Sequence, residues 1–150
     1  MSINSVIIGT GSYIPETVVP NDHFLQHTFY KKTGERMVKD TSEITAKLQQ
    51  ISGIKERRYA KPSVDSAYMA AEAGRQALEK AQLSGENLDA IIVAHNSGNM
   101  VDGADKPTSI PNLASLIKRE LGVVTPNCIA YDIVFGCPGW IEGMLSLIHI

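Results

Sequence analysis

The stretch YDIVFGCPGW, residues 131–140, decides how the rest of this chain is read. An apolar, β-branched run stops at Gly136-Cys137-Pro138-Gly139, where the spacing predicts that a helix begins. A residue at such a strand-to-helix turn lies beside the helix's first unpaired N–H groups and the positive end of its dipole. A thiol there is favoured as the thiolate, the form that attacks carbon. Pro138 suits the first helical position, where a missing N–H removes no bond. Gly136 and Gly139 would clear room for an acyl group and for backbone donors to meet an oxyanion. These features fit a nucleophilic cysteine. They also fit a small residue filling a tight buried turn, and spacing alone leaves both readings open.

Only one other cysteine occurs, Cys128, and it reads as core within a predicted strand over 128–135. Neither cysteine belongs to a CxxC pair, so a disulfide framework or a zinc site is not indicated. Upstream, DAIIVAH at 89–95 predicts a buried parallel strand, and SVIIGT at 5–10 another. The clearest predicted helix spans 63–83, with Ala67, Ala70, Ala71, Gly74, Leu78 and Ala81 on one small-residue face, stopped by Ser84-Gly85. Helices are also predicted over 22–30, from Thr41-Ser42 to near Gly53, and after a cap at Thr108 or Ser109. IKERRYA at 54–60 reads as extended, and the loop over 96–108 is long enough to suggest function. Strands alternating with helices define an α/β class with a mostly parallel sheet.

The 150 residues, 43% hydrophobic and 20% charged, suffice for a globular core. Fourteen basic against sixteen acidic residues leave no basic field for nucleic acid or an anionic membrane. No apolar run has the length of a membrane span, and the N-terminus lacks a signal peptide's basic region, so a cytoplasmic location is expected. The remaining motifs are weak. Gly9-Thr10-Gly11 hints at a phosphate loop but has Ile14 where the dinucleotide pattern needs glycine, and His23/His27 lack the glutamate of a zincin. His95 ends a strand and is read as structural, and Lys55, Arg57 and Arg58 as a solvated face.

Four motifs in register, VIIGTGSYIPETVVPND near the start, SGIKERRYA at 52–60, LDAIIVAHNS at 88–97 and YDIVFGCPGW, resemble the N-terminal half of the β-ketoacyl-ACP synthase III enzymes. This family is a branch of the thiolase superfamily. The resemblance covers residues 3 to about 144 and implies a thiolase-like fold: one half of a five-layer α-β-α-β-α sandwich, within a homodimer. It implies Cys137 as the catalytic nucleophile and Ile110 as a substrate-binding residue lining the partner's acyl pocket. The implied reaction is a decarboxylating Claisen condensation of an acyl thioester with malonyl-ACP. No cofactor or metal is implied, and CoA or acyl-carrier-protein thioesters are the substrates. Acyl carrier protein is thus a partner, as is acyl-CoA or acyl-ACP, while nucleic acid and membrane are not. The family's catalytic histidine and asparagine come from the second half and have no counterpart here.

Two departures stand out. ITAKLQQ occupies the helix where the family often has a tryptophan for CoA, which leaves a carrier-protein donor as an alternative, and Pro138 replaces the usual small residue after the nucleophile. The competing readings are a non-catalytic partner subunit of a condensing enzyme and a Cys-dependent thioester hydrolase. Residues 145–150, LSLIHI, match the usual translation of a sequencing adaptor end. Residues 1–144 are therefore read as a truncated half-domain, inactive and poorly stable alone.

Overall fold

The computed structural model describes residues 5–100 and 104–149, in two compact units: residues 14–61, and residues up to 13 together with those from 62 onward. Residues 101–103 of the predicted functional loop and Ile150 lie outside the described residues.

In the unit 14–61, β1 (Thr17–Pro20) pairs antiparallel with β2 (Glu56–Tyr59), in register from Thr17 with Tyr59 to Pro20 with Glu56. Helix α1 (Thr41–Ser52) lies between them in sequence. Asp40 caps it by accepting the Ser42 N–H at 2.7 Å, and Gly53 ends it with φ 72°, a left-handed conformation natural to glycine. The helix predicted over 22–30 is instead a 3₁₀ turn, Asn21–Gln26, that buries no side chain. Too few residues with no apolar face leave nothing to extend it.

The larger unit carries α2 (Ser66–Ala81), β3 (Ala90–His95), α3 (Leu113–Glu120), β4 (Ile129–Val134) and α4 (Gly139–His149). Strands β3 and β4 pair in parallel, Ala90 opposite Ile129 through His95 opposite Val134, with α3 in the crossover. This is the βαβ unit that the alternating pattern predicts. Asp65 caps α2 through the Tyr68 N–H at 2.8 Å, and Gln82, with φ 57°, ends it. Ser84-Gly85 does not stop this helix; it opens a separate 3₁₀ turn, Gly85–Asn87.

The small-residue face of α2 serves two neighbours. Ala67 and Ala71 are buried against Leu113 and Ile117 of α3, with Ile91 and Val93 of β3 beside them. On another face, the chain at Gly9 and Gly11 runs so close to the helix that a Cβ would overlap the carbonyl oxygens of Ala77 and Ala73. Glycine is required there by proximity, so the Gly9-Thr10-Gly11 motif is a packing device. The strand predicted over 5–10 does not form, because a β-propensity run becomes a strand only when a ladder receives it.

Helix α3 also starts later than predicted. Asn112, not Thr108 or Ser109, is its cap, accepting the Ser115 N–H at 3.1 Å. The residue before a proline avoids helical backbone, so Ile110-Pro111 holds the start back. Among the described residues no helix is long and apolar enough to cross a membrane.

Candidate functional site

Cys137 lies in the turn between β4 and α4, exposed and not disulfide-bonded, whereas Cys128 is buried beside the start of β4. The turn is closed by the Gly139 N–H donating to the Gly136 carbonyl at 2.8 Å. The Pro138 carbonyl accepts from Ile141 and Glu142 at 2.9 and 3.2 Å, so proline stands just before the helix rather than at its first position. Gly139 has a structural use different from the predicted one. A Cβ on it would meet Phe135 at 3.3 Å and Ala94 at 3.5 Å, so its missing side chain lets α4 press against β3. A Cβ on Gly136 would meet only Pro138 Cδ, at 4.0 Å. Around the turn, Val134, Phe135, Trp140 and Ile141 are all exposed, Trp140 by 69%.

Ile110, the predicted acyl-pocket residue, stands 91% exposed just before α3. Structure describes its flanks. Thr108 pairs with Asn99 through reciprocal backbone bonds of 2.9 and 3.0 Å. Asn99 is buried, accepting the Ala67 N–H at 3.1 Å and donating to Asp65 at 2.9 Å.

Sequence reading passed over Asp132. Its carboxylate accepts the N–H groups of Leu113 and Ala114, both at 2.7 Å, and the Nε2–H of His95 at 3.0 Å. Burial works against its ionisation, but the hydrogen bonds from His95, Ala114 and Leu113 outweigh this and hold the carboxyl below its ordinary value. His95 Nδ1 accepts the Gly98 N–H at 2.8 Å, which puts the neutral ring's proton on Nε2. Both ring nitrogens are therefore engaged, as a structural histidine's should be. The available signal was an acidic residue inside an apolar parallel strand, a placement that demands partners.

The basic cluster at 55–58 is largely occupied. Arg57 donates to Asn21 at 2.9 Å and lies 5.3 Å over the Phe24 ring, and Arg58 reaches Glu56 at 3.5 Å. His23, His27 and Phe24 form a ring cluster, His23 edge-on to Phe24 and the other pairs tilted.

The parallel βαβ core, with a free, exposed cysteine where its second strand turns into a helix, is consistent with part of a thiolase-like fold. In a solved structure, 3-oxoacyl-[acyl-carrier-protein] synthase III from Aquifex aeolicus VF5, the same fold recurs with a TM-score of 0.70 and 28% identity, over 96% of this chain and 39% of that one. In sequence the chain is similar to proteins named β-ketoacyl-[acyl-carrier-protein] synthase III. That of Caldanaerobacter subterraneus is 39% identical over 140 residues, 92% of this chain and 35% of the relative. That of Psychromonas ingrahamii is also 39% identical over 140 residues, covering 36% of the relative. The chain thus spans little more than a third of the length of these relatives. No family model matches the sequence.

Proposed function

We propose that the chain is the part of a β-ketoacyl-ACP synthase III-like acyltransferase that carries its nucleophile, Cys137. The observation that supports this best is a free, exposed thiol at the β4–α4 turn of a chain similar to such synthases. In the first stage the Cys137 sulfur attacks the carbonyl of an acyl thioester. A new C–S bond forms, and the CoA or carrier thiolate leaves. The Gly139, Ile141 and Glu142 N–H groups already bond to Gly136 and Pro138, so the backbone N–H of Cys137 itself would be the donor to the developing oxyanion. In the second stage malonyl-ACP loses CO₂, and the resulting carbanion attacks the Cys137 thioester. A C–C bond forms, Cys137 departs as thiolate, and β-ketoacyl-ACP is released.

His95 is not offered as the decarboxylation base, since Gly98 and Asp132 take both its nitrogens. The histidine and asparagine for that step belong, by resemblance, to the second half of a full-length dimeric enzyme. Ile110, projecting from the chain before α3, would line the partner subunit's acyl pocket. No cofactor takes part; acyl carrier protein and an acyl-CoA or acyl-ACP donor are the partners.

The test is Cys137→Ala in the full-length enzyme. Incubation with an acyl donor adds one acyl mass to the wild type at Cys137. The variant gains none, and condensation falls by roughly a thousandfold or more. Condensation undiminished in Cys137→Ala overturns the proposal. Thioester hydrolysis by the 150 residues alone would favour the hydrolase reading instead.

A further inference from the structure

We propose that Asp132 is a positioning residue that sets acyl-chain selection by holding both ends of the segment that carries Ile110. This rests on the reading of Ile110 given above.

Hydrogen bonds and the backbone between them close a ring around this segment. On one side, the Asp132 carboxylate takes the first two N–H groups of α3, at Leu113 and Ala114. Asn112 reinforces that end, donating from Nδ2 to the Ala130 carbonyl of β4 at 3.2 Å. On the other side, Asp132 takes the His95 Nε2–H, and His95 Nδ1 takes the Gly98 N–H. Gly98 adjoins Asn99, whose backbone pairs with Thr108 in both directions. Thr108 stands two residues before Ile110, and Leu113 three after it. The two routes out of Asp132 therefore converge on the same short segment.

Each link in this ring is directional. Gly98 has φ 80°, a conformation that its N–H bond to His95 helps to hold, and a Cβ there would press on the Thr108 carbonyl. Asp132 and His95 side chains are only 11% and 12% exposed, so water does not readily substitute for a lost partner. Ile110 itself is 91% exposed and has little packing of its own to fix it. Its position is inherited from its two anchors, and both lead to one carboxylate.

The same carboxylate belongs to β4, the strand that runs into Cys137 five residues later. Asp132 thus refers the acyl-pocket residue and the nucleophile to a common strand. A residue that serves only global stability would change the amount of active enzyme. A residue that positions Ile110 must change which acyl chain is preferred.

The experiment compares kcat/KM for an acetyl and an octanoyl thioester donor in the full-length enzyme. The variants are Asp132→Asn, His95→Gln and Ile110→Ala. Asp132→Asn removes the charge that both routes share and breaks at least one of their bonds, and His95→Gln loosens only the route through Gly98. The ratio between the two donors shifts by roughly tenfold in Asp132→Asn, as expected for a displaced contact residue. It shifts in the same direction, by less, in His95→Gln. If Asp132→Asn does not fold, His95→Gln decides alone. A ratio that moves in Ile110→Ala but stays within about twofold of wild type in whichever of the two ring variants fold overturns this inference and leaves the proposed function standing. A wild type that performs no condensation with any donor overturns the proposed function, and this inference with it.

Discussion

Replacing Asp132 by Asn tests whether the carboxylate, rather than the shape of its side chain, holds α3 to β4. Aspartate receives three hydrogen bonds there, from Leu113, Ala114 and His95. Asparagine has one acceptor oxygen and a two-donor amide. With its oxygen where Leu113 and His95 meet the carboxylate, it still accepts from both, and the amide faces the Ala114 N–H, donor against donor. Bonds to a charged acceptor contribute about 1.5–3 kcal/mol each, so losing one and leaving the other two to a neutral acceptor costs about 2–4 kcal/mol. The assay is urea unfolding of the full-length enzyme and its Asp132→Asn variant across a pH series. The sign of the pH effect follows from linkage. The folded-state carboxyl sits below its ordinary 3.8, so its contribution is fully present above that value. It is lost as pH falls through the lower folded-state value. Wild type and variant therefore differ most near neutrality and converge in acid. A difference below about 0.5 kcal/mol at neutral pH, the range of an ordinary surface substitution, refutes the reasoning. So does a difference that widens on acidification.

Gly11→Val should be among the most damaging changes outside the site, because the α2 backbone at Ala73 leaves no room for a Cβ; overpacking of about 1–3 kcal/mol or failure to fold is expected, read by thermal unfolding. Ile117→Ala, in the buried contact between α3 and α2, should cost about 2–5 kcal/mol by urea unfolding, and a loss under about 1 kcal/mol would mean that this contact is not core. Glu86→Ala removes the acceptor of the Val124 and Thr125 N–H groups, at 2.7 and 3.1 Å, and should cost about 1–2 kcal/mol in the same assay. The 150 residues alone expose Val6, Ile7, Ile8, Trp140 and Ile141, so they should bind a hydrophobic dye and unfold with little cooperativity; a sharp transition worth about 5 kcal/mol or more would count against this.

What the sequence made legible was local. Helix α1 runs where its polar opening and Gly53 place it, and α2, β3 and β4 fall within a few residues of their predicted spans, because periodicity and caps are encoded in neighbouring residues. The exposed turn at Cys137 was legible for the same reason: Gly136-Cys137-Pro138-Gly139 can do little but turn. The errors came where a distant partner decided the outcome. Val6, Ile7 and Ile8 have strand propensity but no ladder. Gly9 and Gly11 resembled a phosphate loop, and only the approach of α2 shows what their missing side chains are for.

Asp132 lies at the far end of that scale. Nothing near it in sequence hints that it caps a helix beginning nineteen residues earlier, or that it meets a histidine thirty-seven residues away. Yet its presence in an apolar strand was itself a physical anomaly, since a carboxylate is seldom taken out of water without donors waiting for it. Three donors do wait, from two different elements, and they tie the crossover helix and the end of β3 to β4 at the level where β4 gives way to Cys137. An active site built at the carboxyl ends of parallel strands needs those ends held in fixed relation. Hydrophobic contacts such as Ala71 with Ile117 hold the layers together but tolerate small sliding. A directional carboxylate shared between three partners does not, and that difference is why the buried charge sits here and not an isoleucine.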